Sequence, residues 1–134
     1  MTSERGFVAF LALTLVLLAA VVWSGLRARR IVHLPCVALT LASLGVTIYF
    51  AEQMGEHYDL ESAGWITPLH LTLAKLTTLA YLAPLVTGIL TLRDAGWRRR
   101  HRVCAFVVLA LTVATAVTGT WMLLAAERLP AAGS

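Results

Sequence analysis

The side chains best suited to chemistry here are four histidines, His33, His57, His70 and His101. Three of them open long apolar stretches: His33, His70 and His101. A neutral imidazole ligates transition metals and is a standard axial ligand for haem iron. Arginines flank two of them: Arg27, Arg29 and Arg30 precede His33, and Arg98, Arg99, Arg100 and Arg102 surround His101. Guanidinium groups neutralise carboxylates such as haem propionates through charge-assisted hydrogen bonds, which makes Arg30 and Arg100 candidate cofactor contacts. Cys36 and Cys104 are the only cysteines, and each follows one of these histidines by three residues. That spacing puts thiol and imidazole on one helical face. Two readings stay open, a Cys2His2 metal site and a pair of small buried hydrophobes. A disulfide is disfavoured on a reducing side of the membrane.

Lys75 is the only lysine. It falls about 7 Å below the start of its apolar stretch at 1.5 Å per residue. An intramembrane lysine is costly and normally paired, and Glu52 is the expected partner. The alternatives are a structural pair, a snorkelling side chain, or a site for a propionate, a quinone or a proton. His57, in a polar loop, is either a solvated residue or, with His70, a ligand at a second site. Gly45, Gly88 and Gly119 allow close approach of a macrocycle or of a neighbouring helix. No phosphate loop, CxxC, HExxH or nucleophile elbow is present, so the sequence gives no sign of a stand-alone enzyme built on those motifs.

The elements that must position these groups follow from composition. Of the 134 residues 59% are hydrophobic and 13% charged, too little charge to coat a soluble surface. Apolar runs at about residues 7–26, 32–50, 68–92 and 103–126 each reach the roughly 20 residues that span a bilayer. The first reads as a span rather than a cleaved signal, because it is long and arginines follow it. Backbone in lipid must satisfy its own hydrogen bonds, so each span is a helix. Short connections predict one all-α domain over residues 1–134, an antiparallel four-helix bundle in the membrane. Thr67-Pro68 predicts a helix start, Pro35 a tolerable early proline, and Pro84 a kink.

The net charge of +4 is not a nucleic-acid signal. The arginines cluster in the first and third connections, while Glu4, Glu52, Glu56, Asp59, Glu61 and Glu127 fall at the opposite ends. Short Arg-rich loops stay cytoplasmic. This predicts a bacterial inner-membrane protein with both termini on the outer side. Trp23, Trp65, Trp97 and Trp121 sit near span ends as an interfacial belt. The lipid bilayer and other membrane subunits are the expected partners.

There is an internal repeat. His70 to Gly88 and His101 to Gly119 have the same separation, and both end Val-Thr-Gly. His33-x-x-Cys36 is echoed by His101-x-x-Cys104. In an up-down bundle the second and fourth helices are diagonal, on the order of 12–14 Å apart. That is too wide for a direct His–His contact and suits a macrocycle between two imidazoles.

The stretch from His70-Leu-Thr-Leu-Ala to Thr87-Gly88, then Arg99-Arg100-His101-Arg102 to Thr118-Gly119, resembles the core of cytochrome b561-type membrane proteins and other small four-helix b-type cytochromes. Arg30-Ile-Val-His33 is similar to the basic-then-His opening of a b561 helix. The resemblance covers about two-thirds of the chain. It implies bis-His haem b and transmembrane electron transfer, with His33 and His101 as one ligand pair. The family places a histidine on each of four helices, whereas residues 7–26 contain none. A second haem at His70 would need His57 or an external ligand. The leading expectation is electron transfer through bis-His haem to or from a quinone or partner subunit. The competing one is a non-catalytic accessory subunit that packs against a larger complex and holds lipid or pigment.

Overall fold

The computed structural model describes residues 2–129. Among the described residues, four helices are long and apolar enough to cross a membrane. The chain divides into two compact units, one ending at Tyr58 and one starting at Asp59.

The first unit is a helical hairpin of α1 (Ser3–Leu26) and α2 (Arg30–Gly55). α1 stops at a Schellman turn: Arg29 N–H donates to the Ser24 carbonyl and Ala28 N–H to the Gly25 carbonyl. Ala28 takes the left-handed position, φ 53°, normally given to glycine. Large apolar side chains face outward, with Val16 67% and Leu39 57% exposed, while Thr14, Ser24, Thr40, Ser43 and Thr47 are buried. A soluble core shows the reverse. Small hydroxyl residues between helices and aliphatic residues outside are what lipid selects, because close backbone approach and interhelical hydrogen bonds hold such helices together. Thr14 Oγ1 lies 2.8 Å from Ser43 Oγ and 3.1 Å from Thr47 Oγ1.

The division between the units falls within a two-residue strand, β1 (Tyr58–Asp59), which a short 3-10 turn, Leu60–Ala63, follows. The Asp59 carboxylate accepts from Glu61 N–H there. α3 (Ile66–Ala80) and α4 (Leu82–Arg93) together form the third apolar rod. A second 3-10 turn, Ala95–Trp97, is capped by Asp94 and leads into α5 (Arg98–Ala125), followed by β2 (Glu127–Arg128). The helices meet through the same kind of contact: Thr77 Oγ1 to Thr115 Oγ1 at 2.8 Å and Tyr81 Oη to Thr112 Oγ1 at 2.9 Å.

Several boundaries differ from the sequence expectation. The helices extend past the apolar runs, because polar residues such as Arg30 and Glu52 continue the hydrogen-bond ladder. α3 starts at Ile66, and Thr67 lies inside its first turn, where its hydroxyl donates to the Leu60 carbonyl instead of capping. Pro68 is tolerated there because first-turn N–H groups have no helical acceptor. Lys75 is consequently nine residues into α3, about 13 Å along the axis rather than 7. Pro35 is the sixth residue of α2, where its missing N–H leaves the Ile31 carbonyl, on a 91% exposed residue, without its helical donor. The kink expected at Pro84 is a break at Tyr81, between α3 and α4.

Three histidines seated on glycines

Three of the four histidines are held in one recurring way. His33, near the start of α2, faces Ser24-Gly25 at the end of α1. His33 Nδ1 lies 3.1 Å from the Val21 carbonyl oxygen and 3.2 Å from Ser24 Oγ. A Cβ on Gly25 would stand 3.1 Å from His33 Cε1. His101, near the start of α5, faces Thr87-Gly88: Nδ1 lies 3.3 Å from Thr87 Oγ1, and a Gly88 Cβ would be 3.2 Å from Cε1. His70, at the other end of that unit, faces Thr118-Gly119: Nδ1 is 3.1 Å from Thr118 Oγ1, and a Gly119 Cβ would be 2.7 Å from Cε1. The glycine lets the imidazole lie against backbone, and the preceding hydroxyl fixes its ring orientation.

The hydrogen-bond network assigns the tautomer of His33. A carbonyl only accepts, so His33 Nδ1 donates to Val21. The Ser24 hydroxyl lies within donating distance of the Val21 carbonyl, Thr87 of Ala83, and Thr118 of Ala114 and Thr115. The single proton of Thr87 and of Thr118 goes either to those carbonyls, leaving the oxygen to accept from Nδ1, or to Nδ1 itself. In the neutral ring of His33 the lone pair is then on Nε2. A ligating imidazole takes that state when its outer nitrogen is anchored.

The two units share this plan residue by residue. His33 and His101, Cys36 and Cys104, Thr47 and Thr115, and Met54 and Met122 are each 68 positions apart. Thr14 and Thr77, Ser24 and Thr87, and Gly25 and Gly88 are each 63 apart. The Thr14–Thr47 contact of the first unit is the Thr77–Thr115 contact of the second. The match fails at the Glu-rich end. At the offsets where the second unit has His70, Thr118 and Gly119, the first has Phe7, Phe50 and Ala51. Phe50 instead packs on Gly6, whose added Cβ would lie 2.6 Å from the ring.

The remaining candidates behave differently. His57 is exposed, and its Nδ1 contacts the Gln53 carbonyl at 2.8 Å, capping the last turn of α2. Lys75 and Glu52 are exposed on their helices. Cys36 and Cys104 are half-buried free thiols, and among the described residues no group of three or more His, Cys, Asp or Glu side chains is assembled for a metal. Arg30 and Arg100 are exposed, and the Arg100 guanidinium lies 4.7 Å from the Trp97 ring. Of the glycines singled out from sequence, Gly88 and Gly119 seat histidines, whereas Gly45 faces open space. Ser24, Gly25 and Gly6 escaped the sequence reading. Aligning the first span with the third, at the constant offset of 63, is the signal that finds Ser24-Gly25.

Compared with known proteins, the chain matches no family model, no curated protein and no solved structure.

Proposed function

We propose that this chain is a membrane electron-transfer subunit of b-type cytochrome character, with His33 and His101 as axial ligands for haem b. The observation that carries the reading is the repeated seat, a duplicated pair of histidines each holding Nδ1 against the hydroxyl of a hydroxyl-glycine pair. The haem iron would supply one-electron chemistry. The chain's own residues orient two imidazoles through their hydroxyl and carbonyl partners and offer Arg29, Arg30, Arg99 and Arg100 to propionates. In each unit the histidine stands at the Arg-rich end of its hairpin, His33 near the start of α2 and His101 near the start of α5.

The test is the visible spectrum of protein purified under haem-replete conditions. A Soret band is expected, lost in His33→Ala and in His101→Ala and unchanged in Cys36→Ala and Cys104→Ala. A colourless protein would leave the accessory-subunit reading, which one fact favours: interhelical His–hydroxyl bonds also serve as structural glue in membranes. The orientation is tested separately. Thr2→Cys should label from outside in intact cells, and labelling only after lysis inverts the topology; the companion position Ser134 lies outside the described residues.

A further inference from the structure

The turn between α1 and α2 carries Arg27, Arg29 and Arg30, all exposed, while the carboxylates of the same unit, Glu4, Glu52 and Glu56, sit at the other end of the hairpin. The charge is held in place. The Arg27 and Arg29 guanidinium carbons lie 5.3 and 5.4 Å from the Trp23 ring centroid. Stacking on an indole orients a guanidinium and leaves its N–H edge available to an oxyanion. Ala28, Arg29, Arg30, Ile31 and Val32 line an open concavity of about 530 Å³. Apolar surface adjoins it: Trp23 is 45%, Leu26 58% and Ile31 91% exposed. Fixed positive charge and exposed apolar side chains therefore meet at the end of two helices long enough to span a bilayer.

We infer that this turn binds the headgroup of an anionic glycerophospholipid. The phosphodiester lies against Arg27, Arg29 and Arg30, and the acyl chains run along Leu26 and Ile31. The recognised chemistry is a phosphate oxyanion, and the apolar flank selects a lipid over a free phosphate. The inference does not require a haem, although Arg29 and Arg30 are also the residues offered to propionates above.

The experiment is a titration of the detergent-purified full chain with phosphatidylglycerol and, separately, phosphatidylcholine, read as Kd by native mass spectrometry. Tighter binding of the anionic lipid is expected. Arg27→Gln with Arg29→Gln should weaken it about 30-fold, the scale two interfacial arginines carry, while Arg5→Gln at the other end leaves it unchanged. Because the glutamines also remove topology signals, Arg27→Lys with Arg29→Lys provides a charge-preserving variant. It should bind less tightly than the native protein, having lost the stacked planar fork, and Trp23→Leu should do the same. Equal binding of the two lipids, retention of selectivity in the double glutamine variant, or displacement of the lipid by millimolar inorganic phosphate would each overturn the inference.

Discussion

The two hairpins agree at one end and differ at the other. At the Arg-rich end both seat a histidine on a hydroxyl-glycine pair, His33 on Ser24-Gly25 and His101 on Thr87-Gly88. In mid-span both join a threonine of one helix to a threonine of the other. At the Glu-rich end the second unit keeps a histidine on a glycine, while the first reverses the sense of the contact, with Gly6 on α1 receiving Phe50 of α2. Helix packing needs a small residue opposite a large one but does not dictate which helix supplies which. An aromatic ring and an imidazole both meet that demand. Only the imidazole adds a lone pair. The shared end is therefore where the histidine seat is duplicated, and the divergent end shows what packing alone requires.

The sharpest way to break this comparison is to fill the seats. A Cβ on Gly119 would lie 2.7 Å from His70 Cε1, so Gly119→Val drives the ring off and costs the Thr118 bond as well. A loss of about 1–3 kcal/mol is expected, the usual range for overpacking. Ala51→Val, at the corresponding place in the first unit, should cost well under half of that because the position already carries a Cβ. Denaturant titration in detergent reads both. Equal losses would show that the Glu-rich ends are packed alike and that the correspondence is sequence coincidence.

The Gly6–Phe50 contact gives a smaller and more specific effect. Gly6→Ala places a methyl 2.6 Å from the Phe50 ring, which also stacks on Phe10 at 5.8 Å. A cost of about 1–2 kcal/mol is expected for shifting that ring. Phe50→Leu should rescue most of it, since the shorter side chain vacates the space. Strictly additive losses in the double-mutant cycle would mean that the two residues do not press on each other.

Much of this was legible from residues alone, for identifiable reasons. Long apolar runs gave four helices because a helix satisfies its backbone in lipid within its own span. Pro84 marked the break near Tyr81 because a missing N–H interrupts the ladder wherever it falls. Thr67 misled as a cap, because a hydroxyl two residues into a helix can turn back to a loop carbonyl, here that of Leu60. The third and fourth spans showed their repeat through two Val-Thr-Gly endings. The first span hid its place in the pattern. It carries Ser for Thr, lacks a histidine, and has Phe7 at the position that corresponds to His70. Its glycines speak only once a neighbouring helix is known to supply His33 to one and Phe50 to another.

The mid-span threonines should respond alike in the two units. Thr14→Val and Thr77→Val each remove an interhelical hydroxyl bond while keeping side-chain volume, and about 0.6 kcal/mol apiece is expected from such bonds in membranes. Thr14 touches both Ser43 and Thr47, whereas Thr77 has Thr115 and a long 3.5 Å approach to the Leu111 carbonyl. Any difference should therefore fall on the Thr14 side. A larger loss at Thr77 would contradict the correspondence at mid-span.

The smallest expected effect lies in the connections, where the units diverge without consequence for the histidine seats. The second unit leaves α4 through Asp94, whose carboxylate accepts from Gly96 N–H at 2.8 Å. The first unit turns through Ala28 at φ 53°, a conformation that costs an alanine roughly 1 kcal/mol because its Cβ crowds the carbonyl. Ala28→Gly removes that crowding and adds unfolded-state entropy worth about 0.5–1 kcal/mol in the other direction. The two terms nearly cancel, so a change within a few tenths of a kcal/mol is expected, seen as a Tm shift of no more than about 2 °C. His33 should keep its seat, because the Schellman bonds from Arg29 and Ala28 to Ser24 and Gly25 form as well with glycine in the left-handed position. A large destabilisation would show that the Ala28 methyl is itself packed. Loss of a Soret band in this variant alone would tie the turn, rather than the hydroxyl-glycine pair, to the orientation of His33.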